Sequence, residues 1–374
     1  MSQSLAQFAA QLRAFIASPA TREDAVFNRL ALDLFALQFA CNAPYRRLCE
    51  ARHVAPGGVS HWSGIPAMPT RAFKDFELTC LPPAERSRVF HSSGTTGQTP
   101  SRHFHSAVSL ELYEASLQPW FRRHLRADGF GGRLLSLTPP AHQAPYSSLV
   151  HMLATLARVG PPGRASFLSR VAPDGAWELD VARAAAEVEQ ACAEPQPLLL
   201  AGTAFSFVHL LDHLAGAGRR FALPTGSRVM ETGGYKGRSR VLPKEALHRL
   251  LTDRLGVPPD FIVCEYGMSE LNSQAYDQIA GFPRNTPNET RPFHFPPWAR
   301  AVVVSPETAR AVAEGETGLL RVCDLANGFS VLAVQTEDLA VRRGEGFELI
   351  GRAERAEPRG CSLLPAVEAD RFPT

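Results

Sequence analysis

Three short strand-like runs, the apolar 198–201 and 261–264 and, between them, Arg228-Val229-Met230, each end at once in a polar or glycine-bearing turn: Gly202-Thr203, Glu231-Thr232-Gly233-Gly234 and Glu265-Tyr266-Gly267. Runs of this length with no polar alternation are the pattern of strands buried on both faces. Helical stretches at 179–193 and 207–215 flank the first of them, so strand and helix alternate along the chain. That alternation predicts parallel βαβ units. In such a sheet ligands sit outside the carboxyl ends of the strands, where these turns emerge.

The remaining segments frame that centre. Leu5, Phe8, Leu12, Phe15 and Ile16, then Phe27, Leu30, Leu34 and Phe39, recur at helical spacing, which predicts two or three packed helices before residue 55. Residues 319–322, 331–335 and 348–350 read as strands of a more antiparallel portion, with turns at Ala326-Asn327-Gly328 and 343–346. At 374 residues the chain is longer than one core of about 250 to 300 residues, so more than one substructure is expected. With 39 basic against 37 acidic residues and no long run of either sign, a nucleic-acid surface is excluded and a small ligand is favoured. The most apolar stretch, 198–218, is broken by His209, Asp212 and His213, and residues 1–18 lack a basic segment followed by an unbroken apolar one. Neither a membrane span nor a secretory signal is therefore expected. The seven cysteines are odd in number, widely spaced and without a CxxC pair, which reads as reduced thiols in a cytoplasmic protein.

The segment Phe90-His91-Ser92-Ser93-Gly94-Thr95-Thr96-Gly97-Gln98-Thr99 is a strand running into a hydroxyl-lined loop. Glycines let backbone N–H groups close on an anion, and Ser and Thr hydroxyls add donors without bulk. Gln98-Thr99 stands where a P-loop needs Lys-Ser/Thr, so the P-loop class is disfavoured. A plain turn is built from the same residues, and the loop acquires meaning from its partners. Gly233-Gly234 suits a flat base against backbone, and Lys236 and Arg238 are placed to meet phosphate or developing carboxylate charge. In Glu265-Tyr266-Gly267-Met268-Ser269-Glu270, Tyr266 offers a π face for adenine, Ser269 a hydroxyl for phosphate, and Glu270 one oxygen ligand for Mg²⁺. Thr336-Glu337-Asp338 sets a carboxylate directly after a strand, able to accept from both ribose hydroxyls. Arg102 or His103 is a further candidate beside a triphosphate, against the ordinary reading of both as surface residues, and 142–151 opens a helix capped by Ser147 or Ser148 that would border an acid. Cys361 has Arg352, Arg355 and Arg359 nearby, and cationic surroundings favour the nucleophilic thiolate.

In order and spacing, HSSGTTGQTPSRHF, GTAFSFV, ETGGYKGRSR, EYGMSELNSQAYD, PPW, LLRVCDLAN, QTEDL and GRAERAEPRGCSL resemble the LuxE-type acyl-protein synthetases, over residues 62–365. These belong to the adenylate-forming superfamily. The resemblance implies an α/β adenylate-forming large domain at 61–350, a helical N-terminal segment at 1–60, and a short mobile segment at 351–374 after a truncated, partly antiparallel C-terminal portion. It implies two half-reactions: ATP and Mg²⁺ convert a carboxylic acid, of the fatty class, to acyl-AMP; an enzyme cysteine then takes the acyl group for an acyl-reductase partner. Residues Ser92, Ser93, Gly94, Thr95, Thr96 and Gly97 would hold phosphates; Gly233, Gly234, Tyr235, Tyr266 and Gly267 would line the adenine; Glu270 would bind Mg²⁺ and Asp338 the ribose. Arg352 would open the mobile end, and Cys361 would accept the acyl group. The chain departs from the wider superfamily in two places. No lysine follows Lys244, which leaves Arg352, Lys236 or Arg102 to supply charge at the forming adenylate, and Ser101 stands where many relatives carry lysine. An acyl-CoA ligase of the phenylacetate type and a non-catalytic nucleotide-binding subunit are the competing readings.

Overall fold

The computed structural model describes residues 4–18, 23–92, 99–160, 163–233, 240–282 and 290–352. In chain order its helices are α1 (Leu5–Ala17), α2 (Asp24–Cys41), α3 (Ala43–Ala51), α4 (Ala72–Asp75), α5 (Ala107–Leu125), α6 (Ser148–Val159), α7 (Val181–Cys192), α8 (Ala204–Gly216) and α9 (Lys244–Leu255). The first strands are β1 (Met68–Pro69), β2 (Arg88–His91), β3 (Arg102–His105), β4 (Arg133–Ser136), β5 (Ala165–Phe167), β6 (Ser169–Val171), β7 (Trp177–Leu179) and β8 (Leu198–Thr203). After them come β9 (Arg228–Thr232), β10 (Ile262–Tyr266), β11 (Ala275–Tyr276), β12 (Ala299–Val304), β13 (Thr317–Asp324), β14 (Ala333–Arg343) and β15 (Gly346–Arg352).

The apolar runs form the expected parallel sheet. Its order is β11-β10-β9-β8-β4-β5, with β11 alone antiparallel to its neighbour. Register decides which residue meets which helix. Ala201, Met230 and Val263 align across three strands and pack with α5 and α6, while Leu200, Val229 and Ile262 align on the opposite face and pack with α7, α8 and α9. All six residues of β8 are buried because helices cover both faces. Local chemistry sets the helix ends. Ser4 and Gln7 close a capping box on α1, Ser106 and Ser109 close one on α5, and Ser147 caps α6 by accepting from the Val150 N–H. At the other end of α9, Gly256 takes φ +68°, where a Cβ would also stand 3.1 Å from Ala222.

The second sheet runs β1-β14-β13-β12, with β15 also paired to β14. Its inner face, including Leu320, Val322 and Val334, shares one core with Phe8 and Leu12 of α1 and with Phe27, Leu30 and Phe35 of α2. Two buried amides tie these helices to the loop between β13 and β14. Gln38 donates to Asn327 O at 2.8 Å and accepts from Leu332 N at 2.8 Å, and Asn42 donates to Ser330 O at 3.2 Å. The small sheets β2-β3 and β6-β7 stand apart from both.

Four expectations change. Asp338 lies inside β14 rather than after a strand, because pairing with β13 and β15 on either side extends that strand to Arg343. Residues 102–105, read as polar surface, form β3, and His103 and His105 are buried beneath it. The helix expected from residue 179 begins at Val181, after β7. The cysteines are not all free thiols. Cys41, at the end of α2, is bonded to Cys80 with Cα atoms 5.1 Å apart, which removes the ground for inferring a reducing compartment.

Two predictions follow from this packing. The cross-link closes 39 residues and is expected to contribute about 3 to 4 kcal/mol, so dithiothreitol should lower the urea midpoint of the wild type and leave a Cys41→Ser/Cys80→Ser variant unmoved. A midpoint equally low without reductant would show the bond to be absent. The second concerns pH. Burial pushes His103 and His124 from 6.5 down to about 4, so the unfolded chain takes up these protons first. Stability present above about pH 6.5 should be lost progressively towards pH 4, by on the order of a few kcal/mol, and His124→Asn should flatten that slope in pH-stepped denaturation.

Candidate active site

The carboxyl end of β10 meets the second sheet at Asp338. Tyr266 Oη, at the end of β10, donates to Asp338 Oδ2 at 2.7 Å, and Arg352 Nε stands 3.4 Å from Asp338 Oδ1. Both Tyr266 and Asp338 are buried, whereas the Arg352 side chain is 78% exposed. Burial, then the neighbouring Asp338 carboxylate, hold the Tyr266 phenol well above its ordinary range, so it stays a donor at neutral pH. Phe293, Phe295 and Phe347 surround its ring at centroid distances of 6.0, 6.2 and 5.3 Å. This aromatic cage fixes the hydroxyl on Asp338. The carboxylate in turn is aimed by Thr336, whose Oγ1 accepts from Asp338 N at 3.1 Å and donates to Leu320 O at 2.7 Å.

The end of β2 and the start of β3 close a neck. Ser92 Oγ accepts from Ser101 N at 2.9 Å, and Ser92 N donates to Ser101 O at 3.3 Å. Ser101 Oγ lies 3.4 Å from Ser269 Oγ, and His103 Nδ1 donates to Ser269 O at 2.7 Å. A carbonyl only accepts, so His103 carries its proton on Nδ1, as a neutral ring. Ser269 Oγ donates to Glu270 Oε2 at 2.9 Å. The β2-β3 pair is thereby held, through Ser101 and His103, against the segment with Ser269 and Glu270.

Of the residues singled out from sequence, the structure brings together Ser92, Ser269 and Glu270 at the neck, and Tyr266, Asp338 and Arg352 between the sheets. Ser93, Gly94, Thr95, Thr96, Gly97, Gly234, Tyr235, Lys236 and Cys361 lie outside the described residues. Gly233 is exposed at the end of β9, and a Cβ there would meet nothing within 4 Å. At Gly267 a Cβ would come within 2.3 Å of Glu265 Oε1, so any larger residue there would have to displace that carboxyl. Arg102 stands 3.7 Å from Glu77 with its side chain 33% exposed.

Among the described residues no group of three or more His, Cys, Asp or Glu is arranged to hold a metal. A single carboxylate at Glu270 still suits Mg²⁺, which takes one or two carboxylates and completes its shell with substrate phosphates and water. The Asp338 carboxylate suits a ribose, since an exposed arginine can yield to two hydroxyl donors. Both groups fit the residues present.

Two contributors escaped the sequence reading. Asp324, fully buried at the end of β13, accepts from Asn272 N at 3.0 Å, Ser273 N at 2.8 Å, Ser273 Oγ at 2.7 Å and Ala326 N at 3.0 Å. Burial pushes it up to about 6 against those hydrogen bonds. It pins the segment after Glu270, and Asn327 completes the hold by donating to Glu270 O at 2.9 Å. An aspartate before an Ala-Asn-Gly turn is a weak signal, since its partners lie 51 residues upstream. The second is Glu265, which aligns with Thr232 in the register of β9 and β10 and faces α5 and α6. Replacing Asp324 by alanine takes the acceptor from the Ser273 and Ala326 N–H groups and from the Ser273 hydroxyl, while Asn272 N keeps Asn327 Oδ1 at 2.9 Å, so urea denaturation should show a loss of about 3 to 5 kcal/mol, against a smaller loss for Asp324→Asn. Equal losses for both would show that the carboxylate does not hold the loop.

Comparison with known proteins accords with this geometry. The family model described as acyl-protein synthetase, LuxE, matches residues 11–367. A long-chain-fatty-acid–luciferin-component ligase of Aliivibrio fischeri is 22% identical over 358 residues, covering 91% of this chain and 87% of that protein. Its counterpart in Vibrio harveyi is also 22% identical, covering 90% of this chain and 86% of that protein. An open conformation of 2-hydroxyisobutyryl-CoA ligase, solved with 2-HIB-AMP and CoA, superposes with a TM-score of 0.61 at 13% identity, over 87% of this chain and 69% of that one. The same ligase in its thioesterification state gives a TM-score of 0.60 at 16% identity, over 88% and 70%. The chain belongs to the LuxE acyl-protein synthetase family, a family of ligases, and has the fold of adenylate-forming enzymes.

Proposed function

We propose that this enzyme joins a carboxylic acid to AMP at the strand tips and then moves the acyl group to the Cys361 thiol, for delivery to an acyl-reductase partner. The observation that carries the reading is the convergence of Tyr266, Asp338 and Arg352 with Ser92, Ser101, Ser269 and Glu270 at the carboxyl ends of the parallel strands. In the first step a carboxylate oxygen bonds to the α-phosphorus of ATP and pyrophosphate leaves. In the second, the cysteine thiolate bonds to the acyl carbon and AMP leaves. Splitting the reaction is chemically sound, because a carboxylate is a poor electrophile until AMP becomes its leaving group and a thioester keeps the activation.

Each residue has a physical task in this scheme. Asp338, aimed by Tyr266, accepts from the ribose hydroxyls, with Arg352 released from its ion pair when they arrive. The loop of Ser93 to Gly97 supplies hydroxyls and backbone N–H groups to the phosphates. Glu270 would hold Mg²⁺, whose charge would offset that of the phosphate oxygens. Arg352 or Lys236 supplies positive charge at the forming mixed anhydride, where a fixed charge acts strongly. Among the described residues no helix is long and apolar enough to cross a membrane.

With labelled acid, ATP and Mg²⁺, the protein should acquire an acyl label that hydroxylamine removes. Cys361→Ser should lose that label while retaining acid-dependent pyrophosphate exchange. Retention of a hydroxylamine-labile label by the variant would place the acceptor elsewhere. Transfer to free coenzyme A by that same variant, at the wild-type rate, would show that the cysteine is not an intermediate.

A further inference from the structure

A cavity of about 50 Å³ opens at the carboxyl ends of β9 and β10, on the face covered by α5 and α6. Tyr113, Thr232, Glu265 and Gln274 bring hydrogen-bonding side chains to it, and Leu149, Met152 and Met268 bring apolar ones. Register explains the polar side. Two residues beyond the aligned trio Ala201, Met230 and Val263 come Thr203, Thr232 and Glu265, aligned in the same way on the same face. Strands that bury apolar side chains along their length thus end in two hydroxyls and a carboxyl.

Glu265 is the informative member. It is buried to 4% exposure, its Oε1 lies against the bare backbone of Gly267, and Gly267 leads directly to Ser269 and Glu270. Thr232 supplies its hydroxyl to the carboxyl, which can accept about four hydrogen bonds in all, so acceptor capacity is left over. Burial lifts it to about 7, so at neutral pH it is shared between a neutral form that suits a hydroxyl and an ionised form that suits an ammonium. Tyr113 and Gln274 are already engaged. Tyr113 Oη donates to Ser148 O at 3.3 Å and accepts from Gln274 Nε2 at 3.4 Å.

This composition is wrong for a hydrocarbon tail. An alkyl chain packed there would leave the remaining acceptor capacity of a buried carboxyl unused beyond the Thr232 hydroxyl, at a cost of about 1 to 3 kcal/mol. The volume is small as well, since a single water needs about 10 to 15 Å³ of such space and the cavity holds only a few such units.

Resting on the adenylation reading above, we propose that this cavity receives the acid, and that the acid is short and carries a hydrogen-bond donor, a hydroxyl or an ammonium, a few atoms from its carboxyl. Glu265 selects it, and a long unsubstituted fatty acid is disfavoured. The curated relatives, named for long-chain fatty acids, would then differ from this chain in substrate rather than in chemistry.

Acid-dependent ATP–pyrophosphate exchange with butanoate, 3-hydroxybutanoate, 4-aminobutanoate and tetradecanoate tests this. The hydroxy or the amino acid should exceed butanoate and tetradecanoate at least tenfold in kcat/KM. Glu265→Leu should bring 3-hydroxybutanoate and butanoate within about threefold of each other with the KM for ATP unchanged. Glu265→Gln, which keeps the shape and removes the charge, should retain the preference for the hydroxy acid and lose any for the amino acid. Circular dichroism checks that each variant is folded. A wild type that prefers butanoate or tetradecanoate, or a folded Glu265→Leu with unchanged selectivity, overturns the proposal and leaves adenylation standing. A folded wild type that exchanges with no acid and binds no ATP by calorimetry overturns the adenylation reading, and the cavity proposal falls with it.

Discussion

The hydrogen bond between Tyr266 and Asp338 joins two sheets that otherwise have separate purposes. The parallel sheet ends in loops that hold polar groups, and the antiparallel sheet contributes one carboxylate at 2.7 Å from the phenol. A charge-assisted bond of this kind is short and roughly twice as strong as a neutral one. Its geometry is protected from both sides. Three phenylalanines confine the ring, and Thr336 confines the carboxylate's own backbone. Arg352, the mostly exposed member, pairs with the same carboxylate from the end of β15. The acceptor is thus oriented by buried groups and left accessible through an exposed one, an arrangement suited to exchanging a protein partner for a ligand.

Around this bond the molecule uses buried polar groups as spacers between elements distant in sequence. Asp324 stitches β13 to the segment after Glu270, Asn327 reaches back to Glu270 itself, and Gln38 and Asn42 bring α2 and its end onto the same loop. The stitching is continuous from the first helices to the candidate Mg²⁺ ligand. Each such group would be costly if left unpaired, so together they select one arrangement more sharply than apolar packing does. The Cys41–Cys80 bond fastens the same region covalently.

Much of the site was legible because its residues are adjacent in sequence. Tyr266, Gly267, Ser269 and Glu270 occupy one turn, and Ser92 opens the hydroxyl-lined segment, so the chemistry could be read from composition at a strand end. Glu265 sits in the middle of that readable motif and was passed over. Its meaning comes from facing the opposite side of the sheet from Tyr266, among α5 and α6, and periodicity alone does not say what covers a face. Asp324 and the Cys41–Cys80 pair were illegible for a related reason, since their partners lie tens of residues away without any spacing rule. Asp338 was recognised as an acceptor but misplaced, because the length of β14 is decided by the strands on either side.

What the sequence determined by itself is the alternation of buried strand and helix and the glycine- and hydroxyl-bearing turns at the strand ends, to which the resemblance of its motifs added the adenylate-forming fold. These follow from local sterics and hydrophobic period, which neighbouring residues impose on each other. Only the tertiary structure decided that Tyr266 meets Asp338 across 72 residues, that His103 is a buried neutral donor to Ser269, and that Glu265 lines a small polar cavity. Those outcomes depend on register and on which helix covers which face, and the free energy that selects them exists only once distant segments exclude water together.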